Sequence, residues 1–161
     1  MECNRVVVGV ADLYISSDGG DRIVTFSLGS CLGVSIYDQE LKIGGILHAM
    51  LPAAKMDMTK AAEKPEMFVD TGLTMMLQRL FDMGASRRNM IVKLAGCASV
   101  LNDNQFFKVG ERNYLCAKKF LERNMLPVAS EDVHGTASRT MSLHMGTGTT
   151  TIRSSGAEKI L

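Results

Sequence analysis

The sequence predicts an α+β layered sandwich, and three observations carry that prediction. The first third is β-type with only short turns. Apolar residues in the middle recur with a helical period, and strand-type segments return towards the end. With 161 residues the chain fits one domain, spanning 1–161, long enough to bury a sizeable core. No repeat, low-complexity tract or charge block marks an internal boundary.

The elements follow in order. In RVVVGVADLYI, Val6, Val8 and Val10 alternate as on a strand with one buried face. IVTFSL, CLGVSIYD and KIGGILHAML read as further strands, with a turn at DGGD (18–21) and a hairpin loop at DQEL (38–41). From Pro65, a good first-turn residue, Phe68, Leu73, Met76, Leu77 and Leu80 form one helical stripe, and Gly84 suits the position after its end. MIVKLAG (90–96) is a short β-branched run typical of a buried strand. A second helix is expected over 110–124, with Tyr114, Ala117 and Leu121 inward. MLPVASEDV and RTMSLHM supply two more strands, the latter alternating Met141, Leu143 and Met145 against Ser142 and His144.

Composition narrows the function classes. Hydrophobic residues make up 46% and charged residues 22%, and 18 Lys+Arg against 17 Asp+Glu leave a charge of +1. That balance offers no electrostatic footprint for nucleic acid or an anionic membrane. No apolar run approaches the ~18–20 residues of a membrane span, and the N-terminus has no signal-peptide pattern. Cys3, Cys31, Cys97 and Cys116 lie far apart without a CxxC pair, which suits reduced thiols in a cytoplasm.

The segment with chemical content is TFSLGSC (25–31), followed by His48 on the next expected strand. With DQEL as a four-residue loop, Tyr37 would face Lys42 and Cys31 would lie directly across from His48. Opposed Cβ atoms stand about 4.5–5.5 Å apart, within reach of a thiol and an imidazole. A one-residue slip would send His48 to the other face, and Gly44–Gly45 leave room for a bulge. An imidazole beside a thiol of pKa ~8.5 can take its proton and later protonate a leaving group. Small residues at Gly29 and Ser30 would let a carbonyl approach and leave backbone N–H groups for an oxyanion; the Thr25 hydroxyl would orient the histidine. Free cysteine is also among the most buried residue types, so these residues alone leave packing and catalysis both open.

The ordered set of motifs resembles a known family. T-x-x-L-G-S-C at Thr25–Cys31, YD at 37–38 and G-x-x-x-H-x-M-L-P from Gly44 to Pro52 are followed by K-x-x-G-x-A at Lys93–Ala98. V-G-E-R-N at Val109–Asn113 and an aspartate-to-arginine segment from Asp132 to Arg139 complete the set. Together they are similar to the chemoreceptor glutamine deamidases, the CheD family. The resemblance implies a single α+β domain in three layers, an α/β/β sandwich with mostly antiparallel strands. It implies hydrolysis of receptor glutamine side chains to glutamate through a thioester. The implied triad is Cys31, His48 and Thr25, the same three residues reached from the hairpin, with no metal or organic cofactor. Chemotaxis receptors and a CheC-type phosphatase are the implied partners. Two other readings keep the resemblance: a regulatory module for that phosphatase, or a receptor methylesterase using the same thioester.

Three positions depart from the family's glycines: Cys97, His134 and Ser138. His134 and His144 lack spaced ligand partners and are expected to be surface histidines, while Cys3 and Cys116 are expected to be incidental. MGTGTTT near the C-terminus lacks the lysine and context of a phosphate loop.

Overall fold

The structure, a computed structural model, describes residues 2–99 and 108–161. Its described strands form two five-stranded sheets. The first runs β1 (Asn4–Val8), β3 (Asp21–Leu28), β8 (Arg139–His144), β9 (Thr149–Ser154) and β10 (Ala157–Ile160) in spatial order. The second runs β2 (Asp12–Ser16), β5 (Ile43–Ala49), β4 (Leu32–Asp38), β6 (Met90–Gly96) and β7 (Val128–Val133). Among the described strands β1–β3 and β6–β7 pair in parallel, and the other strand pairings are antiparallel.

Among the described residues three α-helices accompany the sheets: the short α1 (Met58–Glu63), α2 (Val69–Asp82) and α3 (Val109–Arg123). Leu73, Met76, Leu77 and Leu80 of α2, with Ala117 and Leu121 of α3, pack on Leu32, Val34, Ile36 and Leu47 of the second sheet. The opposite face of that sheet presents Tyr37, Ile46 and Ala95 to Ile23, Met141, Leu143 and Ile152 of the first. The layers are therefore helix, sheet, sheet, as the sequence and the resemblance lead one to expect. Every residue of β4 and β5 is buried because both faces of this pair are covered.

The helical stripe is realised: Phe68, Leu73, Met76, Leu77 and Leu80 are all buried. The start differs in detail. Pro65–Met67 make one 3-10 turn and Phe68 is extended before α2 begins. Gly84 takes a left-handed φ of 98° just past the helix, and Ala85 N–H closes on the Leu80 carbonyl.

Three sequence expectations are corrected. RVVVGVADLYI is not one strand; Ala11, at φ 56°, turns the chain so that β1 and β2 enter different sheets, leaving Val10 exposed. Polar TTTIRS and AEKI form β9 and β10, which an apolar-periodicity reading passes over. In the β4–β5 hairpin, Tyr37 faces Gly44 rather than Lys42, and Asp38 is the last paired residue rather than the first of the loop. The cause is the buried Asp38 carboxylate, which accepts the N–H groups of Glu40 and Leu41 from the loop and of Ser86 from outside it. This residue is both strand and turn cap.

Candidate active site

The hairpin register differs from the expected one by two residues. His48 pairs with Gly33, so Cys31 lies diagonally beyond it, one residue before β4. A shift of two preserves the face, because side chains alternate with period two. Cys31 and His48 thus both belong to the side of the second sheet that meets the first, and Cys31 packs at the edge of the inter-sheet core.

Thr25 reaches the same space from the other sheet. It lies on β3, opposite Val8 of β1, and is fully buried. Its Oγ1 donates to the Val8 carbonyl at 2.8 Å and stands 2.7 Å from His48 Nδ1. A hydroxyl has one proton, and the carbonyl can only accept, so Thr25 accepts from Nδ1–H. The neutral imidazole then carries its free lone pair on Nε2. That atom is buried and has no hydrogen-bond partner among the described residues. A bare basic nitrogen on a ring fixed from behind is the arrangement a general base requires.

Electrostatics keep both partners uncharged at rest. Burial holds the His48 imidazole down to about 4. Burial also pushes the Cys31 thiol up, offset in part by its own N–H directed at the sulfur. Thiol and neutral imidazole are therefore the resting forms, and no hydrogen bond joins Cys31 Sγ to Nε2. Proton transfer would accompany nucleophilic attack rather than precede it.

The turn carrying Cys31 is clamped from several sides. Gly29 N–H donates to the Ser27 carbonyl at 3.0 Å, so it supports the turn and is not a spare donor. The Gly29 carbonyl accepts from Ala98, and the Cys31 carbonyl from Cys97 at 2.9 Å. Among the described residues, the N–H groups of Ser30 and Cys31 donate to no backbone carbonyl. Gly96 sits beneath Cys31 with φ 97°, and a Cβ there would lie 2.3 Å from the Cys31 carbonyl oxygen. Glycine is demanded by conformation and by space together.

Arg139 pins the segment on the other side. It is nearly buried, and donates to the carbonyls of His134 (2.7 Å), Gly96 and Ala137 while pairing with Asp132 at 3.3 Å. Beside this lies a cleft of about 490 Å³, lined among the described residues by Cys97, Ala98, Lys108, Gly110, Glu111 and His134. It opens next to the Cys31 turn, across the β4–β6 pair.

The family model described as CheD chemotactic sensory transduction matches residues 50–154. A protein named probable chemoreceptor glutamine deamidase CheD 1 from Syntrophus aciditrophicus is 41% identical over 94% of this chain and 94% of its own. The chain belongs to the CheD family. A second relative in the family, probable chemoreceptor glutamine deamidase CheD of Solibacter usitatus, is 40% identical over 98% of this chain and 93% of its own. One from Pyrococcus horikoshii is 35% identical over 98% and 96%. A solved Neisseria meningitidis structure of family-model DUF152 aligns with a TM-score of 0.46 at 13% identity, covering 83% of this chain and 63% of that one.

Within this CheD-family chain, two of the three positions where the resemblance implies a glycine have a backbone that favours one. Cys97 (φ 53°) and His134 (φ 70°) are left-handed, whereas Ser138 lies outside that region. Cys97 is buried, and burial is the first reason its thiol is pushed up to about 12, so it rests as an inert packed thiol. His134 lies edge-on to Tyr114 with ring centres 4.6 Å apart. His144 is half-buried at the end of β8, and Cys3 is exposed. Among the described residues no group of three or more His, Cys, Asp or Glu side chains is arranged for a metal ion, and no helix is long and apolar enough to cross a membrane.

Sequence reading assigned no role to Asn113 or Arg139, although both lie in quoted motifs. A signal for Asn113 existed: it is a polar residue on the same helical stripe as Gly110, Ala117 and Leu121.

Proposed function

We propose that this chain hydrolyses glutamine side chains of chemotaxis receptors to glutamate, as the names of its relatives say of them. Cys31 is the nucleophile, His48 the general base and acid, and Thr25 the group that orients the ring. The observation that carries the reading is the Val8–Thr25–His48 hydrogen-bond chain, which leaves Nε2 bare on the face that Cys31 shares.

In the first half-reaction Nε2 takes the thiol proton as sulfur bonds to the amide carbon. The N–H groups of Ser30 and Cys31 receive the oxyanion. The tetrahedral adduct collapses to a thioester, and the imidazolium gives its proton to the departing nitrogen, which leaves as ammonia. In the second half-reaction Nε2 takes a proton from water as the hydroxyl attacks the thioester. Collapse releases the glutamate carboxylic acid, and the proton returns to the Cys31 sulfur. Water is consumed and ammonia produced, with no redox change and no cofactor in the balance.

The test is incubation of the purified protein with a chemoreceptor cytoplasmic fragment, mapping Gln-to-Glu conversion by peptide mass spectrometry beside Cys31→Ala. Discrete conversion that disappears in the variant supports the proposal. Conversion of methyl-glutamate alone would replace it with the esterase reading. No conversion, together with tight binding to a CheC-type phosphatase, would replace it with the regulatory module.

A further inference from the structure

Asn113 is fully buried on α3, and its amide is used in an uneven way. Nδ2 donates to two backbone carbonyls, Ser30 and Met50, each at 3.0 Å. Both acceptors are carbonyls, so the orientation of the amide is unambiguous. Oδ1, by contrast, is buried without a partner among the described residues. A leucine would remove the orphaned Oδ1 but would leave the Ser30 and Met50 carbonyls without their donor. What the asparagine supplies against that cost is its two donors.

The two carbonyls lie at a telling place. The β4–β5 ladder ends at the Leu32–Ala49 pair, and the next pair in register would be Cys31 with Met50. There the strands part, and Asn113 bridges them in place of a further rung. One amide ties the turn bearing the nucleophile to the strand bearing the base.

Its second effect is directional. Ser30 C=O and Cys31 N–H belong to one peptide group, which is trans, so the two bonds point in opposite directions. With the carbonyl held towards α3, the Cys31 N–H is turned away from the helix. That N–H is also what partly offsets the upward push of burial on the Cys31 thiol.

We infer that Asn113 is a positioning residue that sets the orientation of the Ser30–Cys31 peptide, and with it the Cys31 N–H as oxyanion donor. The inference rests on the deamidase reading for its kinetic half and on geometry for the rest.

The experiment compares Asn113→Ala, the near-isosteric Asn113→Asp and Leu121→Ala. The last loosens the packing of the same helix without touching Ser30 or Met50. Three quantities are read: kcat and KM for glutamine conversion on the receptor fragment, the pH midpoint of Cys31 alkylation by iodoacetamide, and thermal unfolding. Both Asn113 variants are expected to lose about tenfold or more in kcat with KM within about twofold of the parent. Their alkylation midpoint moves upwards as the N–H leaves the sulfur. Leu121→Ala keeps kcat and the midpoint while lowering the unfolding temperature. Unchanged kcat and midpoint in folded Asn113→Asp would overturn the inference. So would an equal kcat loss in Leu121→Ala, which would reduce Asn113 to packing. If the parent itself converts no glutamine, the deamidase reading fails, while a shifted midpoint still bears out the peptide orientation.

Discussion

Thr25 Oγ1 and His48 Nδ1 stand 2.7 Å apart across the interface between the two sheets, and the Val8 carbonyl accepts the hydroxyl's only proton. The histidine's tautomer is thereby fixed by a main-chain carbonyl two bonds removed from it.

Thr25→Val keeps the shape and removes the hydroxyl. It leaves the Nδ1–H and the Val8 carbonyl unpaired in the core, at a cost of about 1–3 kcal/mol. Activity is expected to fall by about 10²-fold, because the ring loses both its tautomer and its orientation. Thr25→Ser retains the hydroxyl and most of the rate. Ammonia release and thermal melts of the pair check this, and a fully active Thr25→Val would remove Thr25 from the mechanism.

His48 makes stability depend on pH. Its folded pKa of about 4 lies below the unfolded value of 6.5, so between these the unfolded chain holds the extra proton. Stability is complete above about pH 6.5 and declines as pH falls towards 4, by at most roughly 3 kcal/mol from this group. Urea denaturation from pH 7 to 4.5 is the measurement. His48→Gln should flatten part of the slope, and an unchanged slope would refute the assignment.

Gly96→Ala places a methyl where only 2.3 Å separates it from the Cys31 carbonyl oxygen, on a backbone at φ 97°. The strain is expected to cost about 1–3 kcal/mol and to displace the Cys31 turn, so activity falls by more than stability alone explains. Turnover measured well below the melting temperature separates the two effects.

Arg139→Lys retains the charge and loses the fork that serves three carbonyls and Asp132 at once. Roughly 1–3 kcal/mol of destabilisation is expected, since the part-buried His134 and Ala137 carbonyls lose their guanidinium donors, while the Gly96 carbonyl keeps the His134 N–H and Asp132 keeps Lys159 at 3.1 Å. Denaturant midpoints of this variant and of Lys159→Ala, near neutral in comparison, test the claim.

Much of this was legible in the chain. The stripe from Phe68 to Leu80 and the run at 90–96 declared their structure because burial on one face, or on both, leaves a periodic mark. The face shared by Cys31 and His48 was legible as well, since parity survives an even slip in register. The slip itself was hidden in Asp38: a turn residue by composition, it is paired as strand because its carboxylate finds donors in the loop and at Ser86. The split after Val8 was hidden for a related reason, as an alanine at φ 56° leaves no local signature. Asn113 escaped because its partners are main-chain carbonyls of Ser30 and Met50, which no side-chain motif encodes.

The hydrogen bond between Thr25 and His48 has its two ends in different sheets, with Ile46, Met141 and Leu143 filling the space between those sheets. With the proposed triad, turnover would be a gauge of whether the two layers are seated on one another. Cooling, hydrostatic pressure or a cavity opened at Met141 would let them part slightly while each keeps its own ladders. The chemistry would then fall silent in a molecule whose circular dichroism still looks native.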